Sequence, residues 1–259
     1  MIIIRGHSYV EYKFPTEVVD LPSKGKLYPK DNPLSKGEVE LKYMTAKEED
    51  ILTSINLIRK GIVLDKVLES LIVDKKIKVG DLIIGDKNGL IIAARILGYG
   101  KKYDVTAACE ECGETSPLEV DCTQLKDKEL SADIKENKFS MTLPKTKVTL
   151  EFKLLSSDEE RLVDKDVEAM KKIQPDIDYT NSFRFKRMFT SIDGENTKSV
   201  INDFVDNKFL AQDSLEFRKY INTITPDVDM SYPFECPKCS HTQEVVVPLG
   251  TGFFWPNAS

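Results

Sequence analysis

Four of the five cysteines fall in two CxxC pairs, Cys109-Glu110-Glu111-Cys112 and Cys236-Pro237-Lys238-Cys239. That spacing lets two thiols of one tight turn reach the same metal ion. Thiolates are soft donors, and four of them make a closed tetrahedral set for a structural zinc, with sulfur about 2.3 Å from the ion. The flanks of the pairs also match. Gly113 and Ser240 follow each pair, Thr115 and Thr242 stand at equal offset, and Leu118 with Val120 corresponds to Val245 with Val247. Each copy reads strand, knuckle, strand, so two facing hairpins bring Cys109, Cys112, Cys236 and Cys239 together as a discontinuous zinc ribbon holding a single structural zinc per chain. The residue after the second cysteine must take a left-handed backbone, which Gly113 does without strain and Ser240 only at some cost. Metal binding there would fix two segments far apart in the chain, acting as a clasp.

Other readings of these thiols fit less well. Catalytic zinc needs an open ligand position, and a full cysteine set leaves none. Thiol–disulfide exchange usually uses one CxxC at the start of a helix in a βαβ setting, which neither pair has. Four unrelated buried cysteines would not share spacing and flanks. Cys122 has no partner at motif spacing and reads as a packed thiol. The two histidines, His7 and His241, offer no obvious base. The phosphate-cradling, acyl-transfer and zinc-hydrolase motifs are missing, and Asp158, Glu159 and Glu160 suit a helix N-terminus better than an acid/base pair. No catalytic residue is assigned; the sequence is not read as an enzyme, and no small-molecule substrate is expected.

Composition agrees with a soluble, self-sufficient fold: 259 residues, 41% hydrophobic and 31% charged, with a net charge of -6. The acidic balance repels nucleic acid. The basic clusters Arg184, Lys186, Arg187 and Lys75, Lys76, Lys78 read as solvated faces. Ile2, Ile3 and Ile4 are followed at once by Arg5, too short an apolar run for a signal peptide, and no stretch reaches the length of a membrane span. A cytoplasmic setting follows.

The elements that must position the cysteines can be sketched from pattern. From Phe14 to Leu41, four prolines and two glycines predict an extended arm, which either wraps its own domain or lies along a partner. Thr45 with Glu48 opens a helix running to Gly61, Val63 to Asp74 forms a second, and a buried third starts near Asp86 and ends at Gly98 and Gly100. Phe139 to Phe152 alternates as a hairpin. Helices follow from Ser157 with Glu160 to Ile173, over Asn181 to Ser191, over Ser199 to Val205, and from Asp213 with Glu216 to a stop before Pro226. The fold class is α+β: a helical N-terminal half plus the four-cysteine ribbon, with an inserted hairpin-and-helices subdomain. The divisions are 1–44 for the arm and strands, 45–136 for the helical region and first knuckle, 137–225 for the insertion, and 226–259 for the second knuckle and aromatic tail. The tail aromatics Phe253, Phe254 and Trp255 either pack back on the ribbon or anchor a neighbouring subunit.

Several segments together resemble one family. Leu21-Pro22-Ser23-Lys24-Gly25 with Leu27-Tyr28-Pro29, Tyr43-Met44-Thr45-Ala46-Lys47-Glu48-Glu49-Asp50, Ile84-Gly85-Asp86-Lys87-Asn88, the CxxC pairs, Phe204-Val205-Asp206, Pro226-Asp227-Val228-Asp229 and Phe253-Phe254-Trp255-Pro256 are similar to the baseplate proteins of T-even-like contractile-tailed bacteriophages. Ser240, where a knuckle glycine is expected, departs from the pattern. The resemblance implies a structural or assembly role at the central hub of the baseplate, with other hub or tail proteins as partners. It also implies a location in the host cytoplasm during assembly or in the virion tail. Leu21, Pro22, Tyr28 and Pro29 of the arm and Phe253, Phe254 and Trp255 of the tail are the residues expected to meet those partners. The rival reading is a zinc-ribbon nucleic-acid-binding or transcription-associated module, which predicts salt-sensitive binding; a weaker rival, a redox enzyme, predicts a reducible disulfide and no metal.

Overall fold

In the computed structural model, which describes residues 14–131 and 133–254, the proline-rich N-terminal segment is a hairpin rather than an extended arm. Strand β1 (Thr16–Asp20) pairs antiparallel with β2 (Glu38–Lys42). The loop between them turns through a short 3-10 segment, Pro33–Lys36, at whose start the Asn32 side chain accepts from Leu34 N at 2.9 Å. This return path sinks Leu21, Leu27 and Leu34 into the core. Of the two ways such a segment can satisfy its backbone, this chain wraps its own body.

Thr45 and Glu48 form the expected capping box at the start of α1 (Ala46–Leu52), with Glu48 accepting from Thr45 N at 2.9 Å and Oγ1 at 2.6 Å. The single helix predicted to Gly61 is in fact two. Thr53 turns its hydroxyl back on Glu49 O at 3.0 Å, Ser54 takes an extended backbone, and α2 (Ile55–Arg59) starts afresh, as local side-chain competition with the helix ladder allows. Helix α3 (Val63–Leu71) and the long α4 (Ile84–Tyr99) follow, and Gly100 ends α4 at φ 83°. Strands β3 (Lys102–Ala108) and β4 (Thr115–Asp121) then make the first cysteine hairpin, and the short β5 (Lys126–Asp127) leads into the inserted region.

That region opens with the predicted hairpin, β6 (Phe139–Thr142) and β7 (Thr149–Phe152). Helix α5 (Ser157–Lys171) is capped one residue earlier than expected, by Ser156 with Glu159. Ser157 is spent on Leu82 O instead, through its N–H at 2.7 Å and hydroxyl at 2.8 Å. Helix α6 (Thr180–Met188) stops short because Phe189–Ile192 is a strand, β8, added to β7. The cause is tertiary: the Phe189 ring packs edge-on against Phe217 at 5.1 Å, in a cluster that Phe152 and Phe185 also join. Helix α7 (Lys198–Asp203) runs into a π turn at Phe204–Lys208, and α8 (Ala211–Ile224) begins two residues before Asp213. Asp213 is therefore not a cap; its buried carboxylate accepts from Lys145 N at 2.8 Å and Thr146 N at 3.0 Å and so closes the β6–β7 turn. Strand β9 (Val228–Asp229) pairs with β5, and β10 (Ser231–Glu235) with β11 (Thr242–Val246) forms the second cysteine hairpin. One continuous apolar core joins the N-terminal helices to the inserted region.

Several of the segments quoted for the family resemblance meet around helix α4. Asp86, in the first turn of α4 and fully buried, accepts from Ser23 N at 2.8 Å, Ser23 Oγ at 2.6 Å and Tyr28 Oη at 2.6 Å. Tyr28 Oη in turn accepts from Ile83 N at 3.0 Å. Burial pushes the Asp86 carboxyl above its usual range although Ser23 and Tyr28 pull it down. Beside it Gly85 lies so close to the main chain at Pro226 that a Cβ would sit 1.8 Å from that carbonyl oxygen, so glycine is required. Asn88 donates to Asp227 Oδ1 at 3.1 Å. Arg95, also fully buried on α4, donates to the carbonyls of Phe253 at 2.9 Å, Gly100 at 2.7 Å and Lys102 at 2.7 Å, tying the chain's last described turn to the helix.

Candidate metal centre

The two cysteine hairpins are built alike at the level of single hydrogen bonds. In the first, Ala108 faces Thr115 across the ladder, Cys109 N donates to Glu114 O at 2.8 Å, and Gly113 N donates to Cys109 O at 2.9 Å. In the second, Glu235 faces Thr242, Cys236 N donates to His241 O at 2.9 Å, and Ser240 N donates to Cys236 O at 2.9 Å. The turn residue is left-handed in both, at φ 70° for Gly113 and φ 57° for Ser240. Ser240 thus takes the conformation the repeat demands, at a steric cost that glycine avoids.

These turns bring the sulfurs of Cys109, Cys112, Cys236 and Cys239 within 4.8 Å of one another. The cross-hairpin pairs Cys109–Cys239 and Cys112–Cys236 stand 3.6 Å apart. Four thiolates about 2.3 Å from one ion would be separated by about 3.8 Å, so the spacing fits a tetrahedral metal. Cys109 and Cys236 are buried, while Cys112 and Cys239 are exposed. Under the buried pair lie Ala107 and Phe234, flanked by Leu118 and Val245. The donor set is all sulfur and closed, which suits a structural role and leaves no position for substrate.

Without a cation, the cluster's electrostatics are in conflict. Burial opposes ionisation of Cys236, but the N–H groups of Cys239 and Lys238 turned toward its sulfur pull that thiol down to about 7. Cys239 has only the N–H of His241 in its favour. Desolvation and the three neighbouring sulfurs push it up to about 12. Thiols this close cannot all ionise together unless a positive charge sits among them; a divalent ion would supply that charge.

Two further contacts join the hairpins. Lys238 Nζ pairs with Glu114 Oε2 at 2.9 Å on the surface. Gln243 Oε1 accepts from Glu110 N at 2.8 Å, and its Nε2 donates to Ala108 O at 3.2 Å. Sequence reasoning passed over Gln243, Asp86 and Arg95. For Arg95 a signal existed, since it is the only charge in the apolar run Leu90–Leu97.

The residues expected to meet partners lie elsewhere and mostly inside. Leu21, Pro22, Tyr28, Phe253 and Phe254 are buried in the chain's own core, where the Asp86 and Arg95 contacts hold the segments that carry them. Pro29 is exposed, and Trp255 lies outside the described residues, as does His7. Cys122 is buried away from the cluster, and burial pushes its thiol up. No helix among the described residues is long and apolar enough to cross a membrane.

A family model described as T4 bacteriophage base plate protein matches residues 14–255, nearly the whole chain. No curated protein and no solved structure gives a significant match.

Proposed function

The chain belongs to the T4 bacteriophage base plate protein family, and from this membership we propose that it is a structural or assembly protein of the central hub, working by protein–protein contact and braced by one zinc ion. Membership supports a structural role among the proteins of a phage tail. The assignment to the hub extends the segment resemblances described above. The zinc rests on a single observation, the four sulfurs within 4.8 Å of one another, in a closed all-thiol set whose cross-hairpin spacing suits a tetrahedral ion.

Cys109, Cys112, Cys236 and Cys239 would hold the ion, and its contribution would be to lock β3–β4 against β10–β11 rather than to activate a substrate. Contact with hub subunits would fall on what the fold leaves outside. That includes Pro29 and the short helix α2, which buries none of its residues and leaves Ile55 63% exposed. Purified protein should carry about one zinc per chain by elemental analysis, and should co-elute from gel filtration with central-hub proteins of the same phage. A chain that contains no zinc when purified without chelator overturns the metal reading, and one that elutes apart from every hub protein overturns the hub reading.

A further inference from the structure

Where the two copies of the cysteine repeat differ, they differ in a correlated way. Gln243 follows Thr242 just as Ser116 follows Thr115, and Glu110 follows Cys109 just as Pro237 follows Cys236. The Gln243 carboxamide crosses from the second hairpin to the first and grips the main chain on both sides of Cys109, at Glu110 N and Ala108 O. The reciprocal bridge is absent. Pro237 has no N–H to offer, and Ser116, too short to span the gap, leaves its buried hydroxyl without a partner. The lock therefore runs one way, from β11 to the first knuckle.

We propose that Gln243 is a positioning residue for the metal centre: it registers the first knuckle against the second hairpin, so that Cys109 meets Cys239 before any ion is bound. A planar amide suits this task because it accepts and donates in one rigid plane, satisfying an N–H and a carbonyl beside a ligand. Groups that orient a ligand from outside the coordination sphere typically account for 10–100-fold in metal affinity. This inference rests on the metal reading above, but it also predicts the register in the metal-free chain, where it can be tested separately.

The experiment uses the full chain and the Gln243→Ala and Gln243→Glu variants. Amide exchange at Glu110 is followed without metal, and cobalt(II) is titrated as a spectroscopic stand-in for zinc. Gln243→Ala is expected to speed Glu110 exchange in the metal-free chain and to weaken cobalt binding about 10-fold, with the four-thiolate absorption bands unchanged in shape. Gln243→Glu keeps the acceptor and loses the donor, and should fall between the two. A merely structural role would lower thermal stability without separating the Ala and Glu variants in cobalt affinity. Unchanged Glu110 exchange in Gln243→Ala overturns the proposal, and so does cobalt affinity equal to that of the unaltered chain. If the unaltered chain binds no cobalt, the metal reading fails, and the exchange arm by itself upholds or overturns the register.

Discussion

The first knuckle turns at Gly113, is gripped from across the gap by Gln243, and has a main-chain N–H at Glu110 for that grip to use. The second turns at Ser240 under strain, receives no such grip, and carries Pro237 in place of an N–H donor. One hydrogen-bond pattern thus recurs in two hairpins that are stabilised differently. In the first, glycine removes the strain of the turn and another hairpin supplies the hold. In the second, proline fixes φ within the knuckle itself, which limits the freedom of the unfolded turn. The comparison shows how a repeat can keep its cysteine geometry while each copy settles its own backbone by other means.

Removing the proposed metal should break the comparison most completely, because both knuckles would depend on it. Structural thiolate sites bind zinc with about 10–16 kcal/mol of apparent free energy. A strong chelator should therefore strip amide protection from both hairpins, with the second losing more than the gripped first; Cys109→Ser and Cys236→Ser should each prevent metal uptake by elemental analysis. Equal loss in both hairpins would mean that the Gln243 grip has no effect on its own. Gly113→Ala comes next. Forcing a Cβ into the left-handed turn costs about 1–2 kcal/mol, read as a lower midpoint in urea, whereas the same change at strained Ser240 should cost much less. Ser240→Gly should act in the opposite sense, relieving the turn but loosening the unfolded chain, for a net gain of under about 1 kcal/mol. A loss on Ser240→Gly would show that the serine contributes something the turn geometry does not reveal. The smallest effect belongs to the Lys238–Glu114 pair. Both side chains are well exposed, so Lys238→Ala should shift the urea midpoint by no more than about 0.5 kcal/mol in equivalent stability, and less in high salt.

Much of this was legible in the chain itself, and the reason is locality. A CxxC knuckle encodes its own turn within a few residues, and a doubled knuckle with matched flanks specifies which thiols belong together even when a long segment separates them. The α1 capping box and the β6–β7 hairpin were legible for the same reason, since each is closed by neighbours in sequence. Where two adjacent residues offered the same local chemistry, as Ser156 and Ser157 do at the start of α5, pattern chose wrongly by one position. The distant Leu82 carbonyl claims Ser157.

What the sequence could not determine, the repeated cysteine knuckles apart, is what a distant partner closes. Nothing near Asp86 indicates that its carboxylate will be enclosed by Ser23 and Tyr28, with Ser23 63 positions away, or that Arg95 will hold a carbonyl 158 positions on. Phe189 to Ser191 reads as the end of a helix until the Phe217 ring makes a strand the better way to bury Phe189. Leu21, Pro22 and Tyr28 of the arm and Phe253 and Phe254 of the tail became core for the same reason. An apolar or polar side chain shows by itself that it needs a partner, because burial without one is costly. Only the folded chain decides whether that partner comes from another subunit or from the chain's own far end.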